Sequence, residues 1–190
     1  MVNDLARQRL VMFGGLTNTG KSHETWEWDG NNWDLRTPII SPPARLLAAM
    51  AYDESRQRTV LFGGSTDAGF ANDTWEWDGN NWLLIVPPTP APVRDTHAMA
   101  YDAARGNIVM FGGVGLTGTI LGDTWTWDGA TWQQATPTAS PPPRRGHKMC
   151  YDPTRQRVVL FGGSWGLSGG AELADTWEWD GTDWTATFTM

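Results

Sequence analysis

Short apolar runs and tight polar turns alternate along this chain with a period close to 50 residues. The run Leu10-Val11-Met12-Phe13 leads into Gly14-Gly15, and Phe-Gly-Gly returns at Phe62, Phe111 and Phe161. The segment Thr-Trp-x-Trp-Asp-Gly keeps the same rhythm, beginning at Thr25, Thr74, Thr124 and Thr176. A period of this length marks an array of supersecondary units. Each unit reads as four short strands. The first covers residues 48–52, 97–101 and 147–151 and ends in Tyr-Asp. The second, at 10–13, 59–62, 108–111 and 158–161, hardly alternates, so both of its faces should be covered. The third alternates with a period of two, which puts Trp26 and Trp28 on one face and Glu27 on the other. Asp29-Gly30 and its copies at Asp78, Asp128 and Asp180 then supply a tight turn into a fourth strand starting at Trp33, Trp82, Trp132 and Trp184.

The reading is therefore all β: one repeat domain, 1–190, of four four-stranded antiparallel units at about 1–36, 45–85, 94–135 and 144–190. Residues 1–4 align with 50–53, so the first unit is expected to lack most of its innermost strand. The first and last units carry the same Trp and apolar positions as the inner two, with none of the polar capping that open arrays use. Their outer faces should be covered, either by closure of the four units on themselves or, the favoured expectation, by another copy of the chain in a dimer.

The paired glycines Gly14-Gly15, Gly63-Gly64, Gly112-Gly113 and Gly162-Gly163, with Arg and His ahead of the first strand, resemble the repeats of the kelch family. The resemblance covers nearly the whole chain and implies a β-propeller, with the sheets as blades packed face to face around an axis. Where the family has Tyr on the third strand this chain has Trp28, Trp77, Trp127 and Trp179.

Composition narrows the function. Thirteen Trp and 22 Gly stand beside three His and one Cys, which favours packing and turns over metal or acid–base chemistry. A net charge of -7 with two lysines argues against nucleic acid, whose phosphates need clustered cations. No apolar run approaches the roughly 18 residues of a membrane span, and the N-terminus shows no signal-peptide pattern. The compartment stays open. Cys150 has no partner for an internal disulfide, and its alignment with alanines predicts a buried thiol.

Candidate contact residues lie where the repeat varies. The loops 16–24, 65–73, 114–123 and 164–175 differ in length and content, and variable loops on a rigid frame carry recognition. Trp165 is off the repeat pattern; it is either an exposed adhesive indole or a plug between units. Phe70 is a similar case. Arg45, Arg94 and Arg144 recur ahead of the first strand, as a ring for an anionic partner or as struts between units. His97 and His147 share a repeat position and read as structural, two imidazoles being a poor metal set. Residues 15–22 match the phosphate-loop pattern GxxxxGK[ST], but a strand follows in place of the required helix. Glu27, Glu76 and Glu178 read as solvated strand residues. No catalytic set, metal site or cofactor is expected. The expected function is a non-catalytic module for protein binding or self-assembly, with a carbohydrate-binding lectin as the alternative.

Overall fold

The computed structural model describes residues 1–167 and 170–187. Among these the chain is all β, with no helix, and its main elements are four antiparallel sheets of four strands each, every sheet a meander. Sheet I comprises Val2–Asp4, Arg9–Phe13, Thr25–Trp28 and Trp33–Arg36. Sheet II comprises Ala49–Asp53, Arg58–Phe62, Thr74–Trp77 and Trp82–Ile85. Sheet III comprises Ala98–Asp102, Asn107–Val114, Ile120–Trp127 and Trp132–Gln134. Sheet IV comprises Lys148–Asp152, Arg157–Phe161, Thr176–Trp179 and Trp184–Thr187.

The first unit keeps more of its inner strand than the alignment suggested. Val2, Asn3 and Asp4 pair with Val11, Leu10 and Arg9, giving three residues against five in the other sheets. The Asp4 carboxylate accepts the Arg7 backbone N–H at 3.0 Å and closes the turn that brings these residues back onto the second strand. The later turns use the same economy. Asp29 Oδ1 accepts the N–H groups of Asn31 and Asn32, and Asp78, Asp128 and Asp180 repeat the arrangement.

The core is three slabs, each shared by two successive sheets. Val11 of sheet I packs with Leu61, Trp75, Trp77 and Trp82 of sheet II. Val60 and Phe62 of sheet II meet Met99, Ile108, Trp127 and Trp132 of sheet III. Val109 and Phe111 of sheet III meet Val158, Leu160, Trp179 and Trp184 of sheet IV. The second strands of sheets II and III therefore have both faces covered, which is why they read as continuous apolar runs.

One seam recurs three times. A fourth-strand Trp lies against the second-strand Phe of the preceding sheet, with ring centroids 5.2 Å apart for Phe13–Trp82, 4.8 Å for Phe62–Trp132 and 5.5 Å for Phe111–Trp184. The same indole donates its Nε1–H to the third-strand Thr: Trp82 to Thr25, Trp132 to Thr74 and Trp184 to Thr124, each at 2.9 Å. Burying an indole and satisfying its one donor in a single contact is what makes Trp suitable here.

Glu27 and Glu76 are not solvated. They are 2% and 6% exposed, because the face opposite the Trp pair is covered by the following sheet. Arg7 Nη1 reaches Glu27 at 2.7 Å, Arg56 pairs with Glu76, and Trp77 Nε1 donates to Glu27 across the first seam. The same arginines lie over the turns of the following sheet. A Cβ on Gly79, whose φ is +97°, would fall 2.7 Å from Arg7 Nε, so the backbone conformation favours glycine there and a side chain would also have to displace the Arg7 guanidinium.

Candidate binding surfaces

Arg45, Arg94 and Arg144, the candidate anion ring, are 0–1% exposed and consumed within the chain. Each guanidinium makes a bidentate pair with an aspartate of its own unit, Arg94 with Asp123 at 2.8 Å for both arms, and Arg45 and Arg144 likewise with Asp73 and Asp175. Each also donates to a diglycine carbonyl, Gly63, Gly112 or Gly162, and to the carbonyl of the proline two residues earlier. Their backbone carbonyls accept from Gly15, Gly64 and Gly113 of the preceding unit. Each arginine thus rivets two units together. The first glycine of each of the first three pairs is held to the same design: a Cβ on Gly63 (φ +66°) would meet the Arg94 carbonyl at 2.6 Å.

These pairs set the aspartates' protonation. Burial pushes Asp73 and Asp123 upward, but the arginine hydrogen bonds and charge outweigh it and hold both below the usual carboxylate range. Asp175 is drawn down to about 2 by its bonds to Arg144.

His97 and His147 are also inside, 7% and 2% exposed, each edge-on to a phenylalanine of the preceding sheet: Phe62 at 5.7 Å and Phe111 at 5.6 Å. Burial and a nearby arginine keep both neutral, His97 well below its ordinary value and His147 down at about 3. Among the described residues, no group of three or more His, Cys, Asp or Glu is placed to hold a metal. The sign of the pH effect follows from linkage. The unfolded imidazole binds its proton near pH 6.5 and the folded His147 only near 3, so its contribution is intact above about 6.5 and falls with pH, by about 1.4 kcal/mol per pH unit in that window, with His97 acting in the same direction. Ala48 occupies the equivalent position in sheet II. A His97→Ala/His147→Ala chain is therefore expected to show a distinctly flatter loss of stability between pH 6.5 and 4, read as urea midpoints. An unchanged slope would mean that the imidazoles are already protonated in the folded chain.

The variable loops of the first two units are small hairpins. Ser65–Thr66 pairs with Gly69–Phe70 and with Arg45–Leu46, leaving Phe70 half-buried. In the third unit the second and third strands simply run on, Gly113 and Val114 pairing with Leu121 and Ile120 past a register shift. Trp165 does not plug a gap. It is 58% exposed, in a loop pinned by Arg145, which donates to the Gly166 and Leu167 carbonyls at 2.8 and 2.6 Å. Gly169, part of that loop's glycine-rich stretch, lies outside the described residues.

A cavity of about 520 Å³ lies among the four inner strands, with Asn3, Met50, His147, Lys148 and Cys150 in its wall. Cys150 is exposed, contrary to its alignment with the buried Ala51 and Ala100. The cause is positional: it lies on the face of sheet IV that has no following sheet. Phe161 on that face is 55% exposed, whereas its copies Phe62 and Phe111 are at 0%. The opposite end mirrors this. On the free face of sheet I, Trp33 is 40% exposed, although Trp82, Trp132 and Trp184 are at 1–3%.

Three sets of residues that matter escaped the sequence reading. The aspartates paired with the rivet arginines stand just before each Thr-Trp at Asp73, Asp123 and Asp175, with Glu24 in the first unit, a periodic signal that was available. Arg7, Arg56, Arg105 and Arg155 recur three residues after the Asp that ends each inner strand. Trp33 carries no local signal of its exposure, since only the absence of a neighbouring sheet distinguishes it. No protein-family model matches this chain, and no curated protein shows significant similarity to it.

Proposed function

We propose that the chain is a kelch-type propeller module, its four sheets acting as blades, and that it works by binding, assembling with other copies of itself through the free faces of its first and last sheets. The reading rests on one observation: Phe161 and Trp33, apolar residues whose copies on the two inner sheets are buried, stand open at the two ends. Water-exposed surfaces of this kind on a soluble frame mark contact sites. The diglycine repeats and the meander order of the sheets support the family reading. The repeated acidic and basic side chains support binding over catalysis, because they are engaged in ion pairs within each unit.

The test is the mass in solution at micromolar concentration, by sedimentation or light scattering. Species heavier than one chain are expected, and a single-chain mass over the whole range would end the self-assembly reading.

A second reading, a lectin-like module, is favoured by the exposed indole of Trp165 in its clamped loop, since indole faces stack on sugar rings. It predicts glycan binding that Trp165→Ala abolishes. A blank glycan array removes it.

A further inference from the structure

The two free faces are not merely apolar; they are the two halves of one seam. Each internal seam joins a face carrying Phe, Thr and a turn Arg, with Glu beside them in the first two seams and Thr126 in the third, to a face carrying two Trp and an Asp-Gly turn. Sheet IV presents the first set without a partner: Phe161, Thr176, Glu178 and Arg155. Phe161 is 55% exposed and the Arg155 side chain 53%. Sheet I presents the second set without a partner: Trp28, Trp33 and the turn at Gly30, where a Cβ would meet nothing within 4 Å. By contrast Gly79, Gly129 and Gly181 lie against Arg7, Arg56 and Arg105 of the preceding sheet.

Resting on the self-assembly reading above, we infer that sheet IV of one copy docks on sheet I of a second copy as a fourth instance of the internal seam, head to tail. Trp33 lies on Phe161 of the other copy and donates its Nε1–H to Thr176, as Trp82 does to Phe13 and Thr25. Trp28 donates to Glu178 as Trp77 does to Glu27 in the first seam, a bond that Trp127 and Trp179 do not make in the other two, and Arg155 covers the Gly30 turn. The occupant is a second copy because no other surface is already known, from three examples in this molecule, to fit each of these faces. The match is closest in the outer half of the sheets. At the inner strand Lys148 stands where Ala49 and Ala98 pack in the second and third seams, so the axis stays open around the cavity. A head-to-tail contact is heterologous: it closes into a ring if the rotation allows and otherwise grows.

The test uses two variants, Trp33→Arg and Phe161→Arg, each changing one face at an exposed position. Either alone is expected to run as a single chain. Mixed in equal amounts they are expected to give a two-chain species, because the mixture still contains one intact sheet IV and one intact sheet I. The two-chain species also shows that both variants are folded. Assembly of Phe161→Arg alone through sheet I, or of Trp33→Arg alone through sheet IV, would overturn the head-to-tail seam. So would a mixture of folded variants, judged by native near-ultraviolet circular dichroism, that stays single-chain. If the unaltered chain itself runs as one chain, the self-assembly reading has failed, which the mass measurement shows before any variant is made.

Discussion

Replacing Arg94 by alanine is expected to destabilise the chain by about 3–5 kcal/mol, the range for removing one partner of a buried ion pair. The guanidinium is 0% exposed. It satisfies both oxygens of Asp123 and the carbonyls of Gly112 and Pro92 at once. Its loss leaves a largely buried carboxylate and two carbonyls without their donor. With total stabilities of roughly 5–15 kcal/mol for single domains, the variant should unfold at a much lower urea concentration. Arg94→Lys should recover only part of this, because an ammonium cannot reproduce the fork that grips both carboxylate oxygens.

The acid limb supplies an internal check. With Arg94 present Asp123 is held below its ordinary value, so the pair's contribution is complete above about pH 4 and is lost as pH falls through the folded value. Without Arg94, only the hydrogen bonds from Trp125 Nε1–H and the backbone oppose the upward push of burial, so Asp123 takes up its proton at higher pH than in the unaltered chain. The stability gap between the two chains should narrow below pH 4. A gap that is constant with pH would show that the loss came from packing and not from the ion pair.

Trp132→Ala is expected to cost a similar amount, about 3–5 kcal/mol, as for other buried aromatic truncations. Trp132 is 3% exposed, 4.8 Å from the Phe62 ring and bonded to Thr74. Its removal opens a cavity between sheets II and III and strips the seam of its hydrogen bond. Trp33→Ala changes the equivalent residue of sheet I, yet at 40% exposure it should cost less than about 1.5 kcal/mol in a dilute single chain. The contrast is informative because both Trp hold the same repeat position, opening the fourth strand after an Asp-Gly turn. A Trp33→Ala cost that grows with protein concentration is expected from assembly, whereas a large cost that ignores concentration would place Trp33 inside one chain.

The arginine rivets illustrate how position and role separate. Arg45, Arg94 and Arg144 stand out in the sequence by their period, and either an anion ring or a set of struts accounts for that period equally well. Only the approach of Asp73, Asp123 and Asp175, each about 30 residues further on, decides that their donors are spent internally. The glutamates went the other way. Alternation placed Glu27 opposite the Trp pair correctly, but a strand's pattern cannot say whether the face it assigns meets water or another sheet.

By itself the sequence determined the local architecture of this protein: strands from apolar runs and alternation, turns from Asp-Gly pairs, and four equivalent units from the period. These are short-range properties, set by backbone sterics and side-chain direction within a few residues. Exposure was decided only in the tertiary structure. Phe62, Phe111 and Phe161 each stand between an apolar run and a diglycine, yet two are sealed and one is open; Ala51, Ala100 and Cys150 divide in the same way. The reason is that a seam needs two sheets. Whether a given face is core or surface depends on what lies beside it, and that is a property of the stack of sheets, which no single repeat contains.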